Sequence, residues 1–170
     1  RRRAKVFNFG VLYGLSAFGL SVREGITRGE AQEFIDSYFR SYPKVEIWRD
    51  QVVEEARSTG YALTMTGRRR AIPELHSRNQ NVRRAGERIA MNMPVQGTAS
   101  DIIKIATNNI DEELMKRRDR GLHARLVMQI HDELIFELPS SEVASIVDLA
   151  EEMMPSIELS VPLLLDKAIG

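Results

Sequence analysis

Arg1, Lys5, Phe9 and Tyr13 stand four residues apart at the start of the chain. On a helix advancing about 100° per residue, each four-residue step drifts only about 40°, so one face presents two cations and then two rings. Such a face suits a nucleotide: phosphates would meet Arg1 and Lys5, and a base or sugar would meet Phe9, with Tyr13 one turn further on. The same spacing also describes a basic-ended amphipathic helix whose Phe7, Phe9, Leu12 and Tyr13 pack inward, the commoner fate of aromatic residues at helical spacing. Two other stretches carry chemistry. Arg68-Arg69-Arg70 places three cations in a row, and on a strand these must alternate faces, so at least one should be free to meet a phosphate unless the run is simply a solvated turn. Asp132 lies within Gln129-Ile130-His131-Asp132-Glu133-Leu134; a carboxylate at a hairpin tip can hold a divalent cation, although Asp also serves turns for its own sake.

The elements that must position these residues follow from period and punctuation. After the opening helix, Gly14, Gly19 and Gly25 mark a short irregular or weakly helical region. Thr27-x-x-Glu30 has capping-box spacing before Ala31, Phe34, Ile35 and Tyr38, and predicts a helix. Pro43 opens another, with Val45, Trp48, Val52 and Ala56 inward, Trp48 as a core anchor and Gly60 as its stop. Tyr61 to Thr64 and Arg69 to Ile72 alternate around Gly67 and predict a small hairpin. A helix from about Ser77 to Met91 carries Arg83, Arg84 and Arg88, and Pro94 should interrupt it. Gly97-Thr98 starts the next, which contains Ile103, Ile110 and Leu114 and ends near Gly121. His123 to Ile130 and Leu134 to Leu138 read as strands with His131-Asp132-Glu133 at the turn. Ser140 or Ser141 caps a helix through Ile146 and Leu149 to Met153, ended by Pro155, and Val161 to Ile169 reads as a final strand. No internal repeat appears.

The 170 residues are 43% hydrophobic, enough for one core or two small ones. There is no cysteine, which excludes disulfides and thiolate metal sites. The apolar runs, such as Leu163-Leu164-Leu165, fall far short of the ~20 residues that cross a bilayer. Formal net charge is zero but unevenly spread: residues 1–90 hold 17 Lys+Arg against 10 Asp+Glu, or +7, and residues 91–170 hold 7 against 14, or −7. A basic half beside an acidic half fits a protein that grips phosphates with one part and metal ions with another. With no start Met and an opening inside a helix, the sequence reads as a piece of a longer protein.

Arg-x-x-x-Lys followed by Asn8-Phe9-Gly10-x-x-Tyr13-Gly14 resembles the nucleotide-binding fingers helix of family A DNA polymerases, the group of bacterial DNA polymerase I. Gln129-Ile130-His131-Asp132-Glu133-Leu134 resembles the same family's palm carboxylate motif, in the expected order. The resemblance spans essentially the whole chain but only the latter part of the family's polymerase domain. It implies an α+β fold, with mainly helical fingers at 1–78 and, at 79–170, the C-terminal part of an antiparallel-sheet palm with packed helices. By motif position, Arg1 and Lys5 would hold the incoming deoxynucleoside triphosphate, and Lys5 would donate a proton to the departing pyrophosphate. Phe9 would stack near sugar and base, where Phe rather than Tyr goes with rejection of dideoxynucleotides, and Tyr13 would guard the template position. Arg70 would lie near the template strand. Asn92 to Thr98 is rich in groups that can read minor-groove acceptors without reading sequence, and the resemblance puts Arg88, Asn92 and Gln96 on the primer–template minor groove. His131 would lie near the primer end, Asp132 would bind metal and Glu133 would support that site.

Phosphoryl transfer by polymerases generally uses two Mg²⁺ ions bridged by carboxylates. Adjacent residues on extended chain face opposite ways, so Asp132 and Glu133 should not both bridge one metal pair. The family's other bridging carboxylate comes from an Asp-Tyr-Ser-x-Ile-Glu motif preceding the fingers. That motif is not in this sequence, nor are the thumb, an exonuclease domain or the family's Trp-containing tail. The expected function is template-directed addition of deoxynucleotides to a primer 3′ hydroxyl in replication or repair. It belongs to a bacterial, cytoplasmic, nucleoid-associated enzyme, of which this stretch alone should show little activity until joined by the upstream palm and thumb. The alternative is a non-catalytic primer–template binding module that works through Arg68, Arg69, Arg70, Arg83, Arg84 and Arg88, with steep salt dependence. A metal phosphohydrolase built on His131-Asp132 would need His76 or His123 as further ligands.

Overall fold

The computed structural model describes the backbone of residues 2–170 and side chains from Val6 onward. The fold class is α+β, with helices and two separate two-stranded antiparallel sheets. Two compact units divide the chain, Arg1–Gly97 and Thr98–Gly170.

The first unit opens with α1 (Arg2–Leu12) and α2 (Ala17–Glu24), the latter capped by the Ser16 hydroxyl, which accepts from the Gly19 amide. The predicted capping box at the start of α3 (Arg28–Ser41) is present: the Glu30 amide donates to Thr27 Oγ1 at 3.2 Å, and the Thr27 amide to Glu30 Oε2 at 2.8 Å. The bonds from Thr27 hold the Glu30 carboxyl below its ordinary value. Leu20 and Ala31 are fully buried between α2 and α3, and Phe7 of α1 packs on that cluster with its ring 4.4 Å from Phe34. Proline opens α4 (Pro43–Thr59) at a position where its missing amide costs nothing, and Gly60 ends it. β1 (Tyr61–Leu63) and β2 (Arg69–Ala71) follow as a hairpin, then a 3₁₀ turn over Pro73–His76 and α5 (Gln80–Asn92). A second core of Val53, Ala56, Ala62, Ile72 and Ala90 ties α4, the hairpin and α5 together. The fully buried Ile72 contributes about 1.5–3 kcal/mol, and each alanine methyl less.

The second unit comprises α6 (Thr98–Arg118), β3 (Arg125–Ile130), β4 (Glu133–Glu137) and α7 (Val143–Met153). Ile110 and Leu114 of α6, Ala124, and Ile146 and Leu149 of α7 form its core, with Leu126, Leu134 and Phe136 on the inner face of the hairpin. The ladder pairs Leu126 with Phe136 and Gln129 with Leu134, and slips by one residue between Leu126 and Met128. That bulge leaves Val127 extra on β3 and turns Met128 and Ile135 to the exposed face.

Pro94 interrupts the helix as expected: α5 ends at Asn92 and the chain passes through a π-helical turn over Met93–Gly97 before α6. Widening the turn accommodates both the pyrrolidine ring and its missing donor. Val161 to Ile169 is not a strand, because neither β3 nor β4 pairs with it and an extended segment needs a ladder to be one. Trp48 is only half-buried and joins none of the three cores, where Val53 and Ala56 do the inward packing for α4. Within the first unit, which runs to Gly97, the 3₁₀ turn and α5 bury Leu75, Ala90 and Met91 against α4 and β1.

Candidate nucleotide and nucleic-acid interface

The two faces of α1 are both aromatic, and packing separates them. Phe7 and Val11 turn inward, whereas Phe9 is 52% exposed. The rings of Phe9 and Tyr13 stand near-parallel, with 12° between their planes and 6.2 Å between centroids. They line an open groove of about 320 Å³ together with Val6, Gly10, Leu15, Arg23 and Arg88. Its floor depends on a close approach. Gly14 holds φ +77°, a conformation costly for residues with a Cβ, and any Cβ there would also press on Met91 Cε at 2.5 Å and Arg88 Cγ at 3.2 Å. The groove thus joins two flat apolar rings to two exposed guanidinium groups, a combination that can stack a base and neutralise a phosphate. Arg1 lies outside the described residues, as does the side chain of Lys5.

The basic run sorts by contact. Arg68 Nη2 donates to the Gly97 carbonyl at 3.0 Å, fastening the hairpin to the π-helical turn. Arg69 lies over the Tyr61 ring, 5.1 Å from its centroid. Arg70 is exposed with no such contact, opposite Ala62 in the ladder. On α5, Arg83 Nη1 donates to the Ser77 and Arg78 carbonyls at 2.8 and 3.0 Å and acts as a clamp on the helix start, while Arg84 and Arg88 are exposed. Asn92 is half-buried at the end of α5, and its Oδ1 is buried without a hydrogen-bond partner. Gln96 is exposed in the π-helical turn. Arg84, Arg88 and Asn92 fall on one face at four-residue steps.

In the second unit, His131 and Asp132 form the two-residue tip between β3 and β4, and Glu133 pairs with Ile130 as the first residue of β4. His131 has φ +55°, the one non-glycine residue with positive φ among those described. Gln129 Nε2 donates to the His131 carbonyl at 2.9 Å and braces the tip. All three acidic-motif residues are exposed. No group of three or more His, Asp or Glu side chains capable of holding a metal occurs among the described residues, so these side chains do not by themselves fit a complete divalent-cation site. His123 and His131 lie beyond opposite ends of the six-residue β3, itself about 20 Å long, which removes His123 as a second ligand beside Asp132.

A sequence profile of DNA polymerase family A matches residues 1–170. The chain belongs to DNA polymerase family A. DNA polymerase I of Bacillus subtilis is 48% identical over 171 residues, and the thermostable DNA polymerase I of Thermus aquaticus 46%. Both alignments cover the whole of this chain and only 19% and 20% of those relatives, so the chain spans about a fifth of their length. Among solved structures, the polymerase domain of Pol1 from M. smegmatis, in complex with DNA primer-template and dNTP, superposes with a TM-score of 0.88 at 43% identity. That match covers 96% of this chain and 28% of that one.

Two residues of this family A chain escaped the reading of its sequence. Arg23 reaches the groove because α2 packs beside α1, and nothing in its own spacing signals that. Gln129 stood inside the acidic motif, but its brace to the His131 carbonyl depends on the hairpin register.

Proposed function

We propose that the chain is the fingers and C-terminal palm portion of a DNA-directed DNA polymerase that adds deoxynucleotides to a primer 3′ hydroxyl. In this reading residues 1–78 act as fingers and residues 79–170 belong to the palm. The observation that carries it is the near-parallel pair of exposed Phe9 and half-buried Tyr13, in one groove with the exposed Arg23 and Arg88. Packing alone does not call for an exposed Phe9 beside two exposed guanidinium groups in one groove. The M. smegmatis relative described with primer-template and dNTP supports the same partners here.

Phe9 stacks near the base and sugar, Tyr13 guards the template position, and Arg1 and Lys5 hold the triphosphate. Arg70, Arg88, Asn92 and Gln96 meet primer–template, and His131 and Glu133 flank the primer end. Asp132 supplies one carboxylate of a Mg²⁺ site whose remaining ligands are not among these residues. The setting is bacterial and cytoplasmic.

Primer extension with Mg²⁺ and all four nucleotides, run beside Asp132→Asn and a salt titration of primer–template binding, tests the assignment. The chain should bind primer–template with an affinity that falls as salt rises. Extension, in this chain or in the polymerase containing it, should be lost in Asp132→Asn. Lys5→Ala should weaken nucleotide use far more than primer–template binding; equal losses in both would count against the fingers assignment.

A further inference from the structure

One cavity in the second unit belongs to neither site. It has a volume of about 420 Å³ and is lined by Arg118, Gly121, Leu122, His123 and Arg125, where α6 ends and β3 begins. Gly121 makes the reversal possible: its φ is +94°, a conformation costly for residues with a Cβ, and its amide donates to the Arg118 carbonyl at 3.0 Å. The Leu122 amide then donates to the Arg117 carbonyl at 3.1 Å, folding the loop back beside the last turn of the helix.

Glu142 fixes the far side. Its carboxylate accepts from the His123 and Ala124 amides at 3.0 and 2.8 Å and meets His123 Nδ1 at 3.1 Å. That contact uses Nδ1 and leaves Nε2 available on a side chain that is 76% exposed. Two guanidinium groups and an imidazole therefore line the cavity among the described residues, with the Glu142 carboxylate bonded behind the imidazole at Nδ1.

The neighbouring cation is committed elsewhere. Arg117 is held by Glu113 at 2.9 Å and lies 3.4 Å from Ser145 Oγ. Arg118 and Arg125 are exposed and make no ion pair among the described residues, not even Arg125 with Glu137, its partner in the ladder. The negative end of the α6 dipole accounts for cations in its last turn. It does not account for Arg125 on a strand, or for His123 in a loop, lining the same cavity. We infer that this cavity binds a phosphate group, gripped by the Arg118 and Arg125 forks with His123 as a third contact.

The phosphate could be a free anion or part of a nucleic-acid backbone, and one experiment separates them. The chain, labelled with ¹⁵N, is titrated with inorganic phosphate and, separately, with a short DNA duplex, while the Gly121, Leu122 and His123 amides are followed. Phosphate should move these amides in the wild-type chain. Arg118→Ala and Arg125→Ala should each weaken that response about tenfold, with β4 and α7 amides unmoved as the check on folding. Arg118→Lys, which keeps the charge and loses the fork, should fall between. If the duplex moves the same amides and phosphate competes, the site takes a backbone phosphate; if the duplex leaves them unmoved, it takes a free anion. Amides that do not respond to phosphate, or a response that survives both alanine substitutions, would overturn the proposal.

Discussion

Gln129 Nε2 donates to the backbone carbonyl of His131 at 2.9 Å, bracing the tip that carries Asp132. His131 holds φ +55° there, a left-handed conformation that costs a residue with a Cβ about 1 kcal/mol and that Asn tolerates better. Substituting His131→Asn should therefore raise stability by about 0.5 kcal/mol, read as a higher denaturation midpoint, while lowering primer extension if the imidazole serves the primer end. Removal of the brace in Gln129→Ala should cost about 0.5 kcal/mol and speed amide exchange at the tip.

The two aromatic faces of α1 make a paired prediction. Phe7 packs on Phe34, so Phe7→Ala should cost about 2 kcal/mol, roughly half the figure for a fully buried Phe. Phe9→Ala should leave thermal stability nearly unchanged and weaken nucleotide binding about tenfold, the loss of one stacking platform. Similar stability losses in both would mean that Phe9 is a packing residue.

Arg68 and Arg70 should separate in the same way. Arg68 fastens the hairpin to the Gly97 carbonyl, and its loss should destabilise the first unit by about 1.5 kcal/mol, the low end for a hydrogen bond from a charged group. Arg70→Ala should leave stability intact and reduce the salt dependence of DNA binding by about one phosphate contact. Fluorescence titrations at several salt concentrations give that slope directly.

Asn92 keeps a buried Oδ1 without a partner, which in a free protein costs about 1–3 kcal/mol. Asn92→Ala should be neutral or mildly stabilising in thermal unfolding, yet should weaken primer–template binding. A clear loss of stability would instead show that the amide supports the α5 terminus.

Glu142 predicts a pH dependence. Burial works to raise its carboxyl, but the bonds from His123 and Ala124 outweigh that and leave it below its ordinary value. A carboxyl depressed on folding stabilises the chain above its unfolded value, near 4.3, and that contribution disappears as pH falls through the folded value. The wild-type chain should thus lose stability on acidification more steeply than Glu142→Gln, with the two melting curves converging at low pH.

Much of this was legible in the residues because the forces involved are local. The Thr27 and Glu30 capping box, the proline that opens α4 and the turn at His131-Asp132 depend on bonds spanning two to four residues, and each stands where its spacing puts it. The two motifs at Arg1 to Gly14 and Gln129 to Leu134 were enough to point to the family. Tertiary packing decided the rest. Phe7 and Phe9 have the same side chain two positions apart, and the α2–α3 cluster with Phe34 determines which of them packs inward. Three consecutive arginines are interchangeable in sequence until Gly97 and Tyr61 occupy two of them. Val161 to Ile169 has a strand's composition but no ladder to join, and Arg23 enters the groove only because α2 lies against α1. Period and capping are written along the chain, whereas burial and partnership depend on residues distant in sequence, which only the folded chain brings into contact.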